Sequence, residues 1–266
     1  GVLISNGPLG SGLPQAQGLA ISDKALNNNR ITICTMSDGA AMEGEAKESF
    51  AAIPGLASKG LLNPVVTIIS DNNTKLSGRI TEDSFSMNPS FISLETLGWN
   101  VIYLENGHDL QSVFTTIEQG LEQAKSNSNR PVAIIIKTIK GKGIKSTEES
   151  ASGGHGYPLK AYDSNLPSFI QEIFNGNAPE EFISWAEEVI NSKPEESEKE
   201  AKLVKEEKVQ KGIARAIIRS SEEGLPIFSL SSDLPGSTGI KEFQDQYPNR
   251  CLDLGIAESN MVSTAI

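Results

Sequence analysis

Histidine and cysteine are scarce in this chain, with two of each in 266 residues. Two histidines, His108 and His155, exclude a histidine-rich metal centre. The cysteines, Cys34 and Cys251, lie in apolar, strand-like stretches rather than in a closely spaced set. That usage suits a reducing compartment and argues against a disulfide scaffold. No apolar run approaches the roughly 18 residues that a membrane span needs. The first residues also lack the pattern of a secretory leader. Basic residues are outnumbered, 23 against 34 acidic, for a net charge of -11. Nucleic-acid phosphates call for clustered Lys and Arg, so a nucleic-acid partner is excluded. The expectation is a soluble, acidic, cytoplasmic protein.

Apolar residues make up 38% and charged residues 21% of the chain, which is enough apolar surface to bury a core. The chain opens without Met in a glycine-rich turn and stops in apolar, helix-compatible text, so it reads as a piece of a longer protein. Ile31–Met36, Val65–Ile69 and Val132–Ile136 are nearly continuous in apolar or β-branched residues, as strands covered on both faces of a parallel sheet are. A shorter run, Val101–Leu104, follows Gly98 and Trp99. Between the first two runs, Ala46, Phe50, Ile53 and Leu56 line one face of a helix over 43–59, which Pro54 should kink or shorten. Asp109 is placed to cap a helix carrying Leu110, Val113, Phe114, Ile117 and Leu121. The fold class expected is α/β, a mostly parallel sheet with helices on both faces.

Three parts follow. Residues 1–190 form the first α/β domain, and the charged stretch 191–200 is a solvated connector. Residues 201–266 begin a second α/β unit, with Val204, Val209, Ile213 and Ile217 on one helix face and a strand at Ile227–Leu230.

The chemistry gathers at two strand ends. The first strand runs into Ser37-Asp38-Gly39-Ala40-Ala41-Met42-Glu43-Gly44, and the second into Ser70-Asp71-Asn72-Asn73-Thr74-Lys75-Leu76-Ser77-Gly78. If one helix joins two adjacent parallel strands, both loops lie at the carboxyl edge, where open α/β sheets bind ligands. With strands about 4.8 Å apart, Asp38 and Asn72 can converge on one hard cation such as Mg²⁺. Acidic and amide residues are also common after strands because they favour turns, and spacing alone does not separate the two. Gly7-Pro8-Leu9-Gly10-Ser11-Gly12 opens a mild helix pattern and offers free N–H groups to a phosphate, or is plain loop punctuation. His155, flanked by glycines, can donate to an anion or move a proton, or be a loop histidine without a role. His108 reads as structural. Glu258, among small and apolar residues, can share a proton with a ring nitrogen or simply favour a helix start.

Taken together and in order, these segments resemble the transketolase family of thiamine diphosphate enzymes. The segments are Gly-Pro-Leu-Gly-x-Gly, Asp-Gly with Glu-Gly five residues on, a strand ending in Asp-Asn, Lys-Thr-x-x-Gly-Lys-Gly, His-Gly-x-Pro-Leu and Gly-Ile-x-Glu-x-x-Met. The resemblance implies that Asp38, Asn72 and the carbonyl of Thr74 hold Mg²⁺. It implies that Gly39 admits the diphosphate, that His155 contacts diphosphate or substrate, and that Gly7 and Leu9 lie along the cofactor. Glu258 would hydrogen-bond the aminopyrimidine of a cofactor held by the partner subunit, and Glu43 would join a carboxylate network across the homodimer interface. The implied activity is transfer of a two-carbon ketol unit between sugar phosphates. Two alternatives stand beside it: another thiamine diphosphate enzyme, of the deoxyxylulose phosphate synthase or 2-oxo acid dehydrogenase type, or a non-catalytic cofactor-binding or dimerisation subunit. Ser37 and Thr74 depart from the family pattern, which usually has glycine and an aliphatic residue there.

Overall fold

The computed structural model describes residues 2–5, 7–152, 154–155, 159–194 and 209–265. Four parallel strands form the main sheet: β1 (Thr32–Ser37), β2 (Val65–Asp71), β3 (Asn100–Leu104) and β4 (Val132–Lys137), in the order β1-β2-β4-β3. The register pairs Ser37 with Ser70 and Asp71 with Lys137, so the strand ends that feed the candidate loops are flush. The main helices of this part are α1 (Gly12–Ala25), α2 (Gly44–Ser58), α3 (Asn88–Leu97), α4 (Leu110–Ser126), α5 (Leu166–Ile173) and α6 (Glu180–Asn191). One core cluster joins α1, α2 and α3 to the sheet through Leu13, Phe50, Ile53, Ile69, Phe91 and Trp99. A second, built on Val66, Ala124, Val132, Ile134 and Ile136, lies under α4. No helix among the described residues is long and apolar enough to cross a membrane.

The α/β expectation holds, with five local corrections. β4 is buried from Val132 to Ile136 and β2 nearly so, as expected of strands covered on both faces. β1 is not: Ile33 is 49% exposed, because β1 is the edge of the described sheet. Asp109 does cap α4, its carboxylate accepting from Ser112 N at 2.8 Å, yet Leu110 and Phe114 point to solvent. Only the lower part of that stripe, Ile117 and Leu121, meets the core.

The third correction concerns Pro54. Helix α2 runs through it to Ser58 as one element. Proline deprives the carbonyl four residues back of its N–H donor. Here that carbonyl is Phe50's, and the buried Trp99 Nε1–H donates to it at 2.7 Å. The indole thus supplies the hydrogen bond that the proline removes, and its ring meets Phe50 edge-on at 6.1 Å.

Beyond the connector, α7 (Val209–Glu222) leads to a two-stranded parallel pair, β5 (Ser229–Ser231) and β6 (Cys251–Asp253), with α8 (Lys241–Gln246) between them and α9 (Glu258–Thr264) after. The expected strand at Ile227–Leu230 is therefore shifted to start at Ser229. Val209 and Ile213 are exposed on α7, and Ala214 is buried instead. Val204 lies outside the described residues.

Candidate functional site

The turn after β1 is closed by its own side chains. Ser37 Oγ accepts from Ala40 N at 3.1 Å, which fixes the entry to the short helical turn Ala40–Met42. That bond is the role of the serine standing where glycine was expected. Asp38, 1% exposed, turns inward. Its Oδ1 accepts from Gly39 N at 2.9 Å, and its Oδ2 from Asn72 N at 2.9 Å and Asn73 N at 2.6 Å. Asp38 thereby knits the loop after β1 to the loop after β2. Burial pushes its carboxyl up to about 6, against the pull of those N–H donors.

An ionised carboxylate has about four acceptor positions. Three are taken, so one lone-pair direction on Asp38 Oδ1 remains. Asn72, whose backbone N–H donates to Asp38, has its side-chain Oδ1 buried with no hydrogen-bond partner. Gln17 Oε1 and Thr67 Oγ1 share that condition, but only Asn72 sits at the carboxyl edge beside Asp38. The Thr74 carbonyl completes the group, 3.8 Å from where a Cβ on Gly39 would stand. Among the described residues, no three His, Cys, Asp or Glu side chains converge on a metal position. The candidate donors are one carboxylate, one amide and one carbonyl, all hard oxygens. Arg79 braces them, donating to Thr74 Oγ1 at 2.7 Å and to the carbonyls of Glu148 and Ser150 at 3.0 and 2.7 Å.

The remaining sequence candidates are placed unevenly. Gly10 of the glycine-rich turn closes directly onto the Glu43 stem, so that turn borders the site. Gly7 faces open space, and Leu9 is half-exposed. His155 sits on an exposed loop with Lys140 Nζ 2.7 Å from its Nδ1. Burial and that ammonium hold His155 below its ordinary value, so the ring is neutral near pH 7 and Nδ1 accepts. Gly156 and Pro158 of the same motif lie outside the described residues. His108 is structural as expected, its Nε2 accepting from Ile139 N at 2.7 Å.

Glu258 opens α9 within electrostatic reach of Glu43. The segment before Glu258 is pressed onto the turn after β1. Gly255 has φ +74°, and a Cβ there would stand 2.2 Å from Met42 Cε, while Ile256 Cδ1 lies 3.0 Å from the Cβ position of Gly39. Ser232 Oγ pins that segment by donating to Gly255 O at 2.7 Å and accepting from Ala257 N at 2.9 Å.

Burial and the nearby Glu258 carboxylate push Glu43 up to about 7, from an ordinary 4.5. Between these values the folded chain binds more protons than the unfolded one. Glu43 therefore contributes stability that is complete below about 4.5 and is lost as pH rises through about 7. Glu43→Gln is expected to flatten that stretch of the Tm-against-pH curve relative to wild type. Thermal scans in steps from about pH 4.5 to 8 check it, and parallel curves for the two proteins would overturn the raised Glu43 carboxyl.

Two groups near the site escaped the sequence. Lys140 stood unmarked inside a quoted motif, yet it holds His155 and lies within electrostatic reach of Asp38. Asp233 reads as an ordinary turn aspartate before Pro235, and nothing local marks it as buried.

The chain matches the family model described as transketolase, thiamine diphosphate binding domain, over residues 1–224. It is 30% identical to transketolase-like protein 2 of Homo sapiens over 99% of this chain and 41% of that protein. It is 27% identical to Homo sapiens transketolase, again over 99% and 41%. It is 30% identical to Staphylococcus epidermidis transketolase, over 92% and 43%. The chain thus spans about two fifths of the length of the relatives it matches. With the match extending over most of its residues, the chain belongs to the transketolase family and carries that family's thiamine diphosphate-binding domain.

Proposed function

We propose that this chain forms part of an enzyme that transfers a two-carbon ketol unit between a ketose phosphate and an aldose phosphate, with thiamine diphosphate and Mg²⁺ as cofactors. The observation that carries the proposal is the buried, unpartnered Asn72 Oδ1, on the residue whose backbone N–H donates to the buried Asp38 carboxylate. A buried amide oxygen without a donor costs roughly 1–3 kcal/mol. A divalent cation answers that cost, and Asp38, Asn72 and the Thr74 carbonyl are the donor types Mg²⁺ takes while it shares its remaining positions with phosphate oxygens and water.

Gly39 leaves the backbone bare where a diphosphate would pass, and His155, backed by Lys140, presents a donor to an anion. Glu258 hydrogen-bonds a ring nitrogen of the cofactor, and Glu43, its carboxyl raised by burial and by Glu258, lies within electrostatic reach of it. The cofactor, when bound, supplies the carbanion-stabilising chemistry. The chain's own residues grip, orient and move a proton. Residues 1–190 act as the diphosphate-binding domain, 191–200 as the connector and 201–266 as the start of the pyrimidine-binding domain, in a homodimer.

The test is a substrate panel on the intact protein with both cofactors. Turnover of xylulose and ribose phosphates with none of pyruvate supports ketol transfer. Turnover of pyruvate, alone or with a triose phosphate, would replace it with the second enzymatic alternative. Calorimetric binding of thiamine diphosphate and Mg²⁺ without turnover of any pair would make the chain a cofactor-binding subunit.

A further inference from the structure

Lys75 and Asp233, both buried, match one another's charge at 2.8 Å. The hairpin of α5 and α6 holds charge of one sign with no such match. From Leu166 to Asn191 it carries five glutamates and no lysine, arginine or histidine. Glu172 is used within the fold, accepting from Ser146 N at 2.6 Å and Ser146 Oγ at 2.7 Å. Glu180, Glu181, Glu187 and Glu188 are exposed and form no ion pair among the described residues.

The same hairpin leaves its aromatic residues uncovered. The rings of Phe174 and Phe182 stack with centroids 5.5 Å apart and planes inclined at 22°, yet both stay part-exposed. Trp185, one turn after Phe182, is 52% exposed, whereas the chain's other tryptophan, Trp99, is fully buried. Single exposed apolar residues are ordinary, but three neighbouring aromatics mark an interaction surface. Helix residues three and four apart share a face, so Glu181 and Glu188 flank Trp185 while the buried Ala186 faces the core.

This surface is pre-formed. Asn175 and Gly176 turn the chain at φ +52° and +81°. Gly176 N donates to the Gln171 carbonyl at 2.7 Å, and Ala178 N to Gln171 Oε1 at 3.2 Å. A hydrogen-bonded turn thus sets Phe174 against Phe182, and a ligand need not order them. The sign of the rim selects the ligand. Nucleic acids and anionic membranes are repelled by free carboxylates. A lysine or arginine gains attraction to the indole face, steering from the carboxylates on either side and cover for its own stem.

We propose that the α5–α6 hairpin docks a cationic, apolar segment of a partner protein, with a Lys or Arg over Trp185 between Glu181 and Glu188 and an aliphatic side chain on the Phe174–Phe182 pair. None of residues 166–191 has a role in the proposed function, so the two proposals stand or fall separately.

The test is a titration of the intact protein with a peptide of leucine and lysine in helical spacing, roughly 16 residues long so that it can hold a helix. Trp185 fluorescence reads the contact, because the buried Trp99 supplies a constant background. The same peptide with glutamate in place of lysine is expected not to bind. Trp185→Ala should weaken binding by on the order of tenfold or more, as loss of an aromatic anchor does, read there by anisotropy of a labelled peptide. Glu181→Gln with Glu188→Gln should weaken it about three- to tenfold and flatten its salt dependence. Both variants alter exposed side chains, so each should melt as wild type does.

Equal affinity in wild type and Trp185→Ala would put the peptide elsewhere on this acidic chain and overturn the proposal. Binding of the glutamate peptide, or of phosphatidylglycerol vesicles, at the hairpin would overturn it as well. A wild type that binds no peptide also defeats it, and an association between copies that sedimentation shows to be lost in Trp185→Ala would then assign the face to a second copy of this chain.

Discussion

Glu258→Ala in the intact protein is expected to lower kcat by about 10²–10⁴-fold, the usual contribution of a positioned acid–base group. Cofactor affinity and the circular dichroism spectrum should change little. Glu258 is an exposed residue in the first turn of α9, and its carboxylate helps to raise Glu43. The contacts that seat its segment belong to its neighbours: Gly255 on Met42, Ile256 on Gly39 and Ser232 across both. Removing the carboxylate also removes the charge that helps keep Glu43 protonated, so the pH-dependent stability assigned to Glu43 should shrink in the same variant. Steady-state rates together with Tm-against-pH scans provide both readouts. Near-normal turnover would remove Glu258 from the chemistry, and an undiminished pH-dependent stability would show that Glu258 does not raise Glu43.

The second large effect separates binding from stability. Asn72→Ala takes away a buried oxygen that no donor satisfies in the ligand-free chain. The ligand-free protein should therefore unfold at the same temperature as wild type or slightly above it. Affinity for Mg²⁺ with thiamine diphosphate should fall at least 10- to 100-fold, the range seen when even an outer metal contact is removed. Asp38→Ala offers the contrast. It strips the acceptor from the N–H groups of Gly39, Asn72 and Asn73, at roughly 1–3 kcal/mol each, and should lose binding and stability together. Thermal melts beside calorimetric titrations distinguish the two variants. A strongly destabilised Asn72→Ala with undiminished binding would make Asn72 a turn residue and nothing more.

That the loops bearing Asp38 and Asn72 meet at one sheet edge was readable from text alone because it follows from one local rule. Two parallel strands joined by a helix must end at the same sheet edge, and apolar runs locate strands well when both faces are covered, as in β2 and β4. What escaped was decided by distant neighbours. Ile33 looks like any other core isoleucine, yet its exposure depends on which strand lies beside β1. Leu110 and Phe114 fit the helical stripe of α4 but project past the end of the sheet that Ile117 and Leu121 cover. Lys75 and Asp233 are separated by 158 positions, and each alone has the signature of a solvated turn. The roles of Glu43 and Glu258 came only from the order of motifs, since a glutamate at a helix start has an ordinary explanation in the helix dipole.

The indole of Trp99 bonded to the Phe50 carbonyl has a kinetic consequence. The latter half of α2 contains a carbonyl that its own helix cannot satisfy, so that stretch gains full strength only after a residue 49 positions later has docked. Helices ordinarily form by nearest-neighbour growth in about a microsecond or less. In this helix the Phe50 carbonyl exchanges water for its protein donor only once the α3–β3 connection has docked, so the last gain in the strength of α2 comes with closure of a long loop.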